Sequence, residues 1–425
     1  MDNKYKWISV LGLLVIIAIY GAVTPQEALR RGPYKGMVYI PGGTFNLSTT
    51  PQGISMMDFN QNSRQVTITP FYMDQTPITN EQYREFVHWV RDSIAVKNHG
   101  LADYLKTGPN GEEYIDWDQV YGRRSSLFSE RNRSDNPNIQ SAWEQFFYPD
   151  NPNFYMKREY NTHLFVYQYA WYDLRAAIAA RNDETKTRED FIRRTAVNVY
   201  PDTTVWVADF SYAQNEPMVK AYFSHNSYNN YPVVGVNWNQ AQAFNNWRTK
   251  KFEIEQAKKD ENERIEINPF DLATEAEWQY AANGNQGDLA YPWGGASARN
   301  GGGQLLANFK PGRGNYIEDN YAYTSPVDSF FPNDFGLYDM AGNVSEWTSS
   351  SFDESASTFL HDLNPVYRYN SEEEDPAYLK RKVIKGGSWK DTQDFLRNEK
   401  SAYEYQDSAR SYIGFRSISH ALGAN

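Results

Sequence analysis

No cysteine occurs among the 425 residues of this chain, and no other feature constrains its fold as tightly. Disulfides, thiolate catalysis and zinc–thiolate clusters are excluded. The patterned blocks are short and broken by glycine, so packing must hold the chain together. Aromatic residues supply the material, at 16%, with 32 Tyr and 12 Trp. Tyr and Trp bury well only when their polar tips find partners. The core is therefore expected to be rich in side-chain-to-backbone hydrogen bonds.

Pattern reading gives a mixed set of elements. Gly36 to Phe45 reads as a strand stopped by a Pro-Gly-Gly turn, and Gln65 to Asp74 alternates as a second strand. Thr79 and Gln82 form a capping box. Tyr83, Phe86, Val87, Val90 and Ile94 follow on one helical face. From about 96 to 230 the chain is rich in Tyr, Asn, Asp and Arg, and reads as a large, partly structured insertion. Within it, Gln168 to Arg181 and Arg188 to Val197 look helical, and Thr203 to Phe210 looks like a strand. Patterning resumes at Tyr231 to Trp238. A helix then starts at Asn239, with Phe244 and Trp247 inward and a solvated extension from Phe252 to Ile267. Thr274 and Glu277 cap a short helix that packs Trp278 and Ala281. Residues 284–329 read as loop, and about 351–382 as a second insertion whose acidic run, Glu372 to Asp375, is solvated. Trp89, Trp238, Trp278 and Trp347 are expected in the core. Strand and helix do not alternate regularly, which argues for α+β and against a doubly wound parallel sheet.

Residues 1–24 stand apart from the domain expected over 25–425. Lys4 and Lys6 precede an apolar run of 17 residues, Trp7 to Val23. As a helix it would span about 26 Å, slightly under the ~30 Å of a hydrocarbon core. Two readings fit, a cleaved secretory signal and a retained short anchor, and both imply export. A net charge of −11 argues against nucleic acid as a partner. Gly301 to Gly303 are not a phosphate loop, because no Lys-Ser/Thr follows. The six histidines, at 88, 99, 163, 225, 361 and 420, show no ligand spacing.

Eight blocks occur in a telling order: Met37 to Phe45, Pro77 to Asn80, Pro232 to Trp238, Ala273 to Trp278, Tyr291 to Gly295, Gly336 to Trp347, Gly386 to Trp389 and Gly414 to Arg416. Together they resemble the formylglycine-generating enzyme (sulfatase-modifying factor) family over roughly 36–420. The resemblance implies an irregular α+β, C-type-lectin-like domain with insertions. The family's oxidases use a cysteine pair between the last two blocks. That pattern places Leu396 and Ser401 at the thiol positions, so no catalytic residue carries over. The family also holds calcium in loops. The resemblance implies one Ca²⁺ site from Asp339, Gly342, Val344 and Glu346, and another from Asn308, Phe309, Asp319 and Tyr321. Calcium wants six to eight hard oxygens, carboxylate and carbonyl. The alternative is that Asp339 and Glu346 cap loops and pair with arginine.

A second resemblance rests partly on the insertion. Tyr72 to Asp74, Asn80 to Val87, Trp89 to Ser93, Tyr200 to Trp206, Asn215 to Met218, Asn229 to Val236, Trp247 to Thr249, Ala307 to Pro311 and Ala409 to Arg416 are similar to the GldK/PorK proteins of type IX secretion and gliding motility. It implies a non-catalytic subunit of a periplasmic ring beneath the outer membrane, with a GldN/PorN-type periplasmic protein, further copies of itself and outer-membrane components as partners. Those proteins are acylated on a cysteine after the signal. Here Gly21 and Ala22 stand there, so no cysteine-linked lipid is possible. The competing classes are a lectin-like ligand-binding module, which needs an exposed aromatic cleft, and a cysteine-independent oxidase, which needs clustered His and carboxylates.

Overall fold

The computed structural model describes residues 35–48, 50–51, 63–108, 111–121, 126–148, 158–209, 216–284, 287–312 and 315–421. The apolar run Trp7 to Val23 lies outside them. Among the described residues no helix is long and apolar enough to cross a membrane.

Two small sheets carry several of the patterned blocks. The first joins β1 (Met37–Ile40), β4 (Phe71–Asp74), β12 (Ser417–His420) and β7 (Asp271–Leu272), in that order and all antiparallel. The second runs β11 (Ile413–Gly414), β8 (Ser345–Ser351), β9 (Arg381–Lys385) and β10 (Lys400–Tyr405), with Thr50–Pro51 at its edge. Separate hairpins pair β2 (Gly43–Ser48) with β3 (Ser63–Ile68), and β5 (Val166–Tyr172) with β6 (Ile192–Asn198). Pro41 and Gly42 divide the first expected strand into β1 and β2, and Thr69 and Pro70 divide the second into β3 and β4.

Three helices carry the capping signals. Helix α1 (Asn80–Asn98) has both bonds of the Thr79–Gln82 box and buries Tyr83, Phe86, Val87 and Val90. Helix α2 (Trp238–Ala257) begins behind Asn237, whose side chain caps Gln240. It buries Phe244 and Trp247 and stops at Ala257, ten residues before the expected end of the extension at Ile267. Helix α3 (Glu275–Asn283) starts with the Thr274–Glu277 box and buries Trp278 and Ala281.

Inside the insertion the structure corrects the periodicity reading. Gln168–Arg181 is strand β5 followed by the short helix Leu174–Ala179. Its Tyr167, Tyr169 and Trp171 alternate with exposed Val166, Gln168 and Ala170, a period of two. Arg188–Val197 is a 3₁₀ turn, Arg188–Phe191, leading into β6, whose Ile192, Thr195 and Val197 are β-branched. The expected strand at Thr203 contains instead the helix Val205–Ala208, entered through an Asp202 turn. The insertion is not a separate body. Its Phe128, Phe146, Phe165 and Tyr167 share one buried cluster with Tyr83, Phe86 and Trp247.

The aromatic tips are largely satisfied. Trp347 donates to the Val236 carbonyl at 3.0 Å, Trp238 to Thr348 at 2.8 Å and Tyr83 to Val199 at 3.0 Å. Trp247 Nε1 is a buried exception without a partner. Trp89 is only half-buried and stacks on Trp117 at 4.6 Å.

Candidate functional site

The two positions matching the thiol pair lie beside β9 and β10. Leu396 ends the 3₁₀ turn Gln393–Leu396 and is wholly buried among Tyr291, Ala298, Ala307, Phe309 and Ala341. Its branched side chain fills apolar space and offers no lone pair to a metal or substrate. Ser401, in β10, is also buried. Its hydroxyl lies 3.1 Å from Lys385 Nζ and makes a short bond to Glu275 Oε1.

Lys385 is fully buried at the end of β9, just before the Gly386–Gly387 turn. Burial pulls its amine down to about 8, against the opposing fields of Glu275 and Glu399. The arrangement is a relay in which a serine hydroxyl bridges a carboxylate and a buried ammonium. Pattern reading missed Lys385 and Glu275. A lysine ending the strand run Val383–Ile384 was the available signal. An open cavity of about 120 Å³ borders Ser401, lined also by Ser345, Lys390, Asp391, Lys400, Tyr403 and Tyr412.

Glu346 sits at the centre of the molecule. Arg416 donates to both its oxygens, from Nε at 3.0 and 2.8 Å and from Nη2 at 2.6 Å, and Trp278 Nε1 donates at 2.7 Å. The remaining Arg416 bonds go to the carbonyls of Asp74, Gln75 and Tyr338. Of the two readings of Glu346, the pairing with arginine is present.

The other implied calcium ligands are gathered nearby. Asp319, buried, accepts the N–H groups of Phe309 and Tyr321, each at 3.1 Å. Asn308 donates from Nδ2 to the Tyr323 carbonyl at 2.8 Å, and its own carbonyl accepts from Asn343 N–H at 2.8 Å. Gly342 lies against that carbonyl, with φ +82, and a Cβ there would fall 2.4 Å from the Asn308 oxygen. Val344 is buried one residue before β8. Asp339, also at positive φ, receives only the Asn343 amide, at 3.0 Å. Burial pushes its carboxyl up to about 8, although Asn343 and Arg416 act to lower it. An under-compensated buried carboxylate beside a tight Gly-Asn turn suits a cation. Among the described residues no three His, Cys, Asp or Glu side chains converge, so backbone carbonyls would have to complete the shell.

Comparison with known proteins agrees with this geometry. Residues 22–421 match the sulfatase-modifying factor enzyme 1-like domain. The mouse protein named inactive C-alpha-formylglycine-generating enzyme 2 is 24% identical over 98% of this chain and 96% of its own. Mouse formylglycine-generating enzyme is 33% identical over 44% of each chain, so this chain spans under half of that relative. Among solved structures CarF matches with a TM-score of 0.43 and 17% identity, over 91% of this chain and 98% of that one, a likeness too low to bear on function. Full-length similarity thus reaches a relative named inactive, while the partial matches include enzymes. The chain belongs to the sulfatase-modifying factor enzyme 1-like domain family.

Proposed function

We propose that this chain is a non-catalytic assembly subunit, in the periplasmic ring of the type IX secretion and gliding machinery. The observation that carries the non-catalytic part is the fate of the thiol pair. One position is a leucine sealed into an apolar cluster, and the other is a serine tied between Lys385 and Glu275. The scaffold has kept its packing and replaced its nucleophile with structural contacts.

The ring assignment rests on the insertion blocks similar to GldK/PorK proteins. In this reading the protein acts in the periplasm at the inner face of the outer membrane, beside a GldN/PorN-type protein and copies of itself. A ring needs a head-to-tail contact that closes. Loop calcium, held by Asn308, Phe309, Asp319 and Tyr321 and by Asp339, Gly342 and Val344, would clamp a Gly-rich segment with little packing of its own.

The decisive experiment is native mass measurement of complexes extracted gently from the cell envelope. A very large closed assembly with a second periplasmic protein at fixed stoichiometry is expected. A lone monomer, under conditions that keep other envelope complexes intact, overturns the ring role.

A further inference from the structure

Strands β5 and β6 form a two-stranded sheet that, among the described residues, joins no other strand. The register sets Val166 opposite Asn198 and Tyr172 opposite Ile192. Just beyond the ladder, Val199 N–H bonds the Phe165 carbonyl and Asp173 N–H bonds the Phe191 carbonyl, both at 2.8 Å. These bonds identify the odd-numbered pairs as those that exchange backbone hydrogen bonds. In an antiparallel ladder the alternate pairs then direct N–H and C=O away from the hairpin.

Along β6 the outward-directed residues are Ile192, Arg194 and Ala196, all exposed. Ile192 N–H is taken by the Glu189 carbonyl of the preceding turn, while among the described residues no hydrogen bond is made by the backbone groups of Arg194 and Ala196. The edge closes at Asn198, whose carbonyl accepts from Gln240 Nε2 at 2.9 Å. The hairpin is held firmly from beneath. Tyr167 donates to Asn246 Oδ1 at 2.9 Å, and Lys250 lies over its ring, both from α2. A rigid, open edge is therefore presented to solvent.

Charge selects the occupant. β6 reads Ile-Arg-Arg-Thr-Ala-Val-Asn, with two cations and no anion, in a chain of net charge −11. Glu189 and Asp190 lie in the turn before the strand, and Arg193 Nε pairs with Asp173 at 3.6 Å but stays half exposed, which leaves its charge open to a further partner. Charges on an edge strand discourage pairing with a like copy, because like charges set opposite one another repel. The same charges attract a strand of opposite sign.

We propose that the outer edge of β6 accepts an extended, carboxylate-bearing segment of a partner protein as an added strand. Backbone bonds from Arg194 and Ala196, with the Ile192 carbonyl, would supply affinity, and Arg193 and Arg194 the choice of partner. The proposal is independent of the ring role, since it would hold for any acidic partner.

The test uses the full chain and two fluorescent peptides, one alternating Glu with Val and the other Lys with Val, read by anisotropy. The acidic peptide should bind at least about tenfold more tightly. Ala196→Pro deletes an outward N–H while sparing the hairpin's own ladder, and should weaken that binding at least about tenfold. Arg193→Glu with Arg194→Glu should do the same, and checks the result should the proline variant fold poorly. No binding of either peptide, equal binding of both, or binding indifferent to the arginine change overturns the proposal. Concentration-dependent dimerisation abolished by the arginine change also overturns it, in favour of a second copy. A failed ring role would leave peptide binding untouched, so the two failures are distinguishable.

Discussion

Arg416 shows what one side chain does in this fold. It closes the Gly414-Phe-Arg416 block onto Glu346, fully buried, and bridges to β4 through the Asp74 carbonyl. Removing one partner of a buried pair strands the other charge, at about 3–5 kcal/mol. Arg416→Met is therefore expected to lower unfolding free energy by that amount in denaturant titration. Arg299→Ala is the contrast. Its bidentate bond to Glu318 lies at the surface, where solvent and salt screen the pair, so its loss should be small beside that of Arg416. Equal losses from the two variants would contradict the central role assigned to Arg416. The sequence marked Glu346 and Arg416 as parts of blocks. It did not say that they meet, since they lie 70 residues apart.

At the scale of elements, α3 carries two separable supports. Thr274 caps the helix by accepting the Glu277 N–H at 3.1 Å. Thr274→Ala should cost about 1 kcal/mol, measurable in the same titration. The second support is the bond between His420 in β12 and Glu277, at 2.7 Å. Its hydrogen bond to Glu277 raises the His420 pKa, against burial and Arg368. Burial acts to raise Glu277, but the His420 bond and charge and the Thr274 bonds outweigh it and leave it lowered.

The sign follows for each group. His420, raised, contributes stability below its ordinary value of 6.5, lost as pH rises through the folded value. Glu277, lowered, contributes above its ordinary 4.5, lost as pH falls. Asp271 adds to the raising of His420. The stability difference between wild type and His420→Gln should therefore peak between these values and decline above neutrality. A difference flat across pH 4 to 9 would rule the pair out as a stabilising contact. The capping boxes were legible because three-residue spacing is local. The His420 bond was not, because 143 residues separate its ends.

For the whole molecule, the question is what holds its long irregular stretches. Residues 287–344 contain no strand or helix among those described. They are pinned by Asp319, by Asn343, which bonds Ser325 through both side-chain atoms, and by Asn333 on the carbonyls of α3. Bound calcium would add to these pins. At free calcium about 100 times its dissociation constant, the gain is about 2.7 kcal/mol. Chelation should then lower the melting temperature, and readdition should restore it. An unchanged melt on calcium-stripped protein would remove the clamp.

The sequence by itself determined the fold class, two capping boxes and the three helices they and Trp247 mark, the burial of Trp238, Trp278 and Trp347, and the absence of the thiol pair. Each depends on local spacing, on residue type or on a plain absence. Tertiary structure decided what local pattern could not. It turned the Gln168 and Arg188 segments into a hairpin, because aromatic and β-branched side chains gain more by packing against α2 than from helix propensity. It set Glu346 against Arg416 and Trp278, where a bidentate guanidinium and an indole N–H satisfy a fully buried carboxylate. It also placed Lys385 and Glu275 on either side of Ser401, and Glu275 lies 126 positions away from that serine.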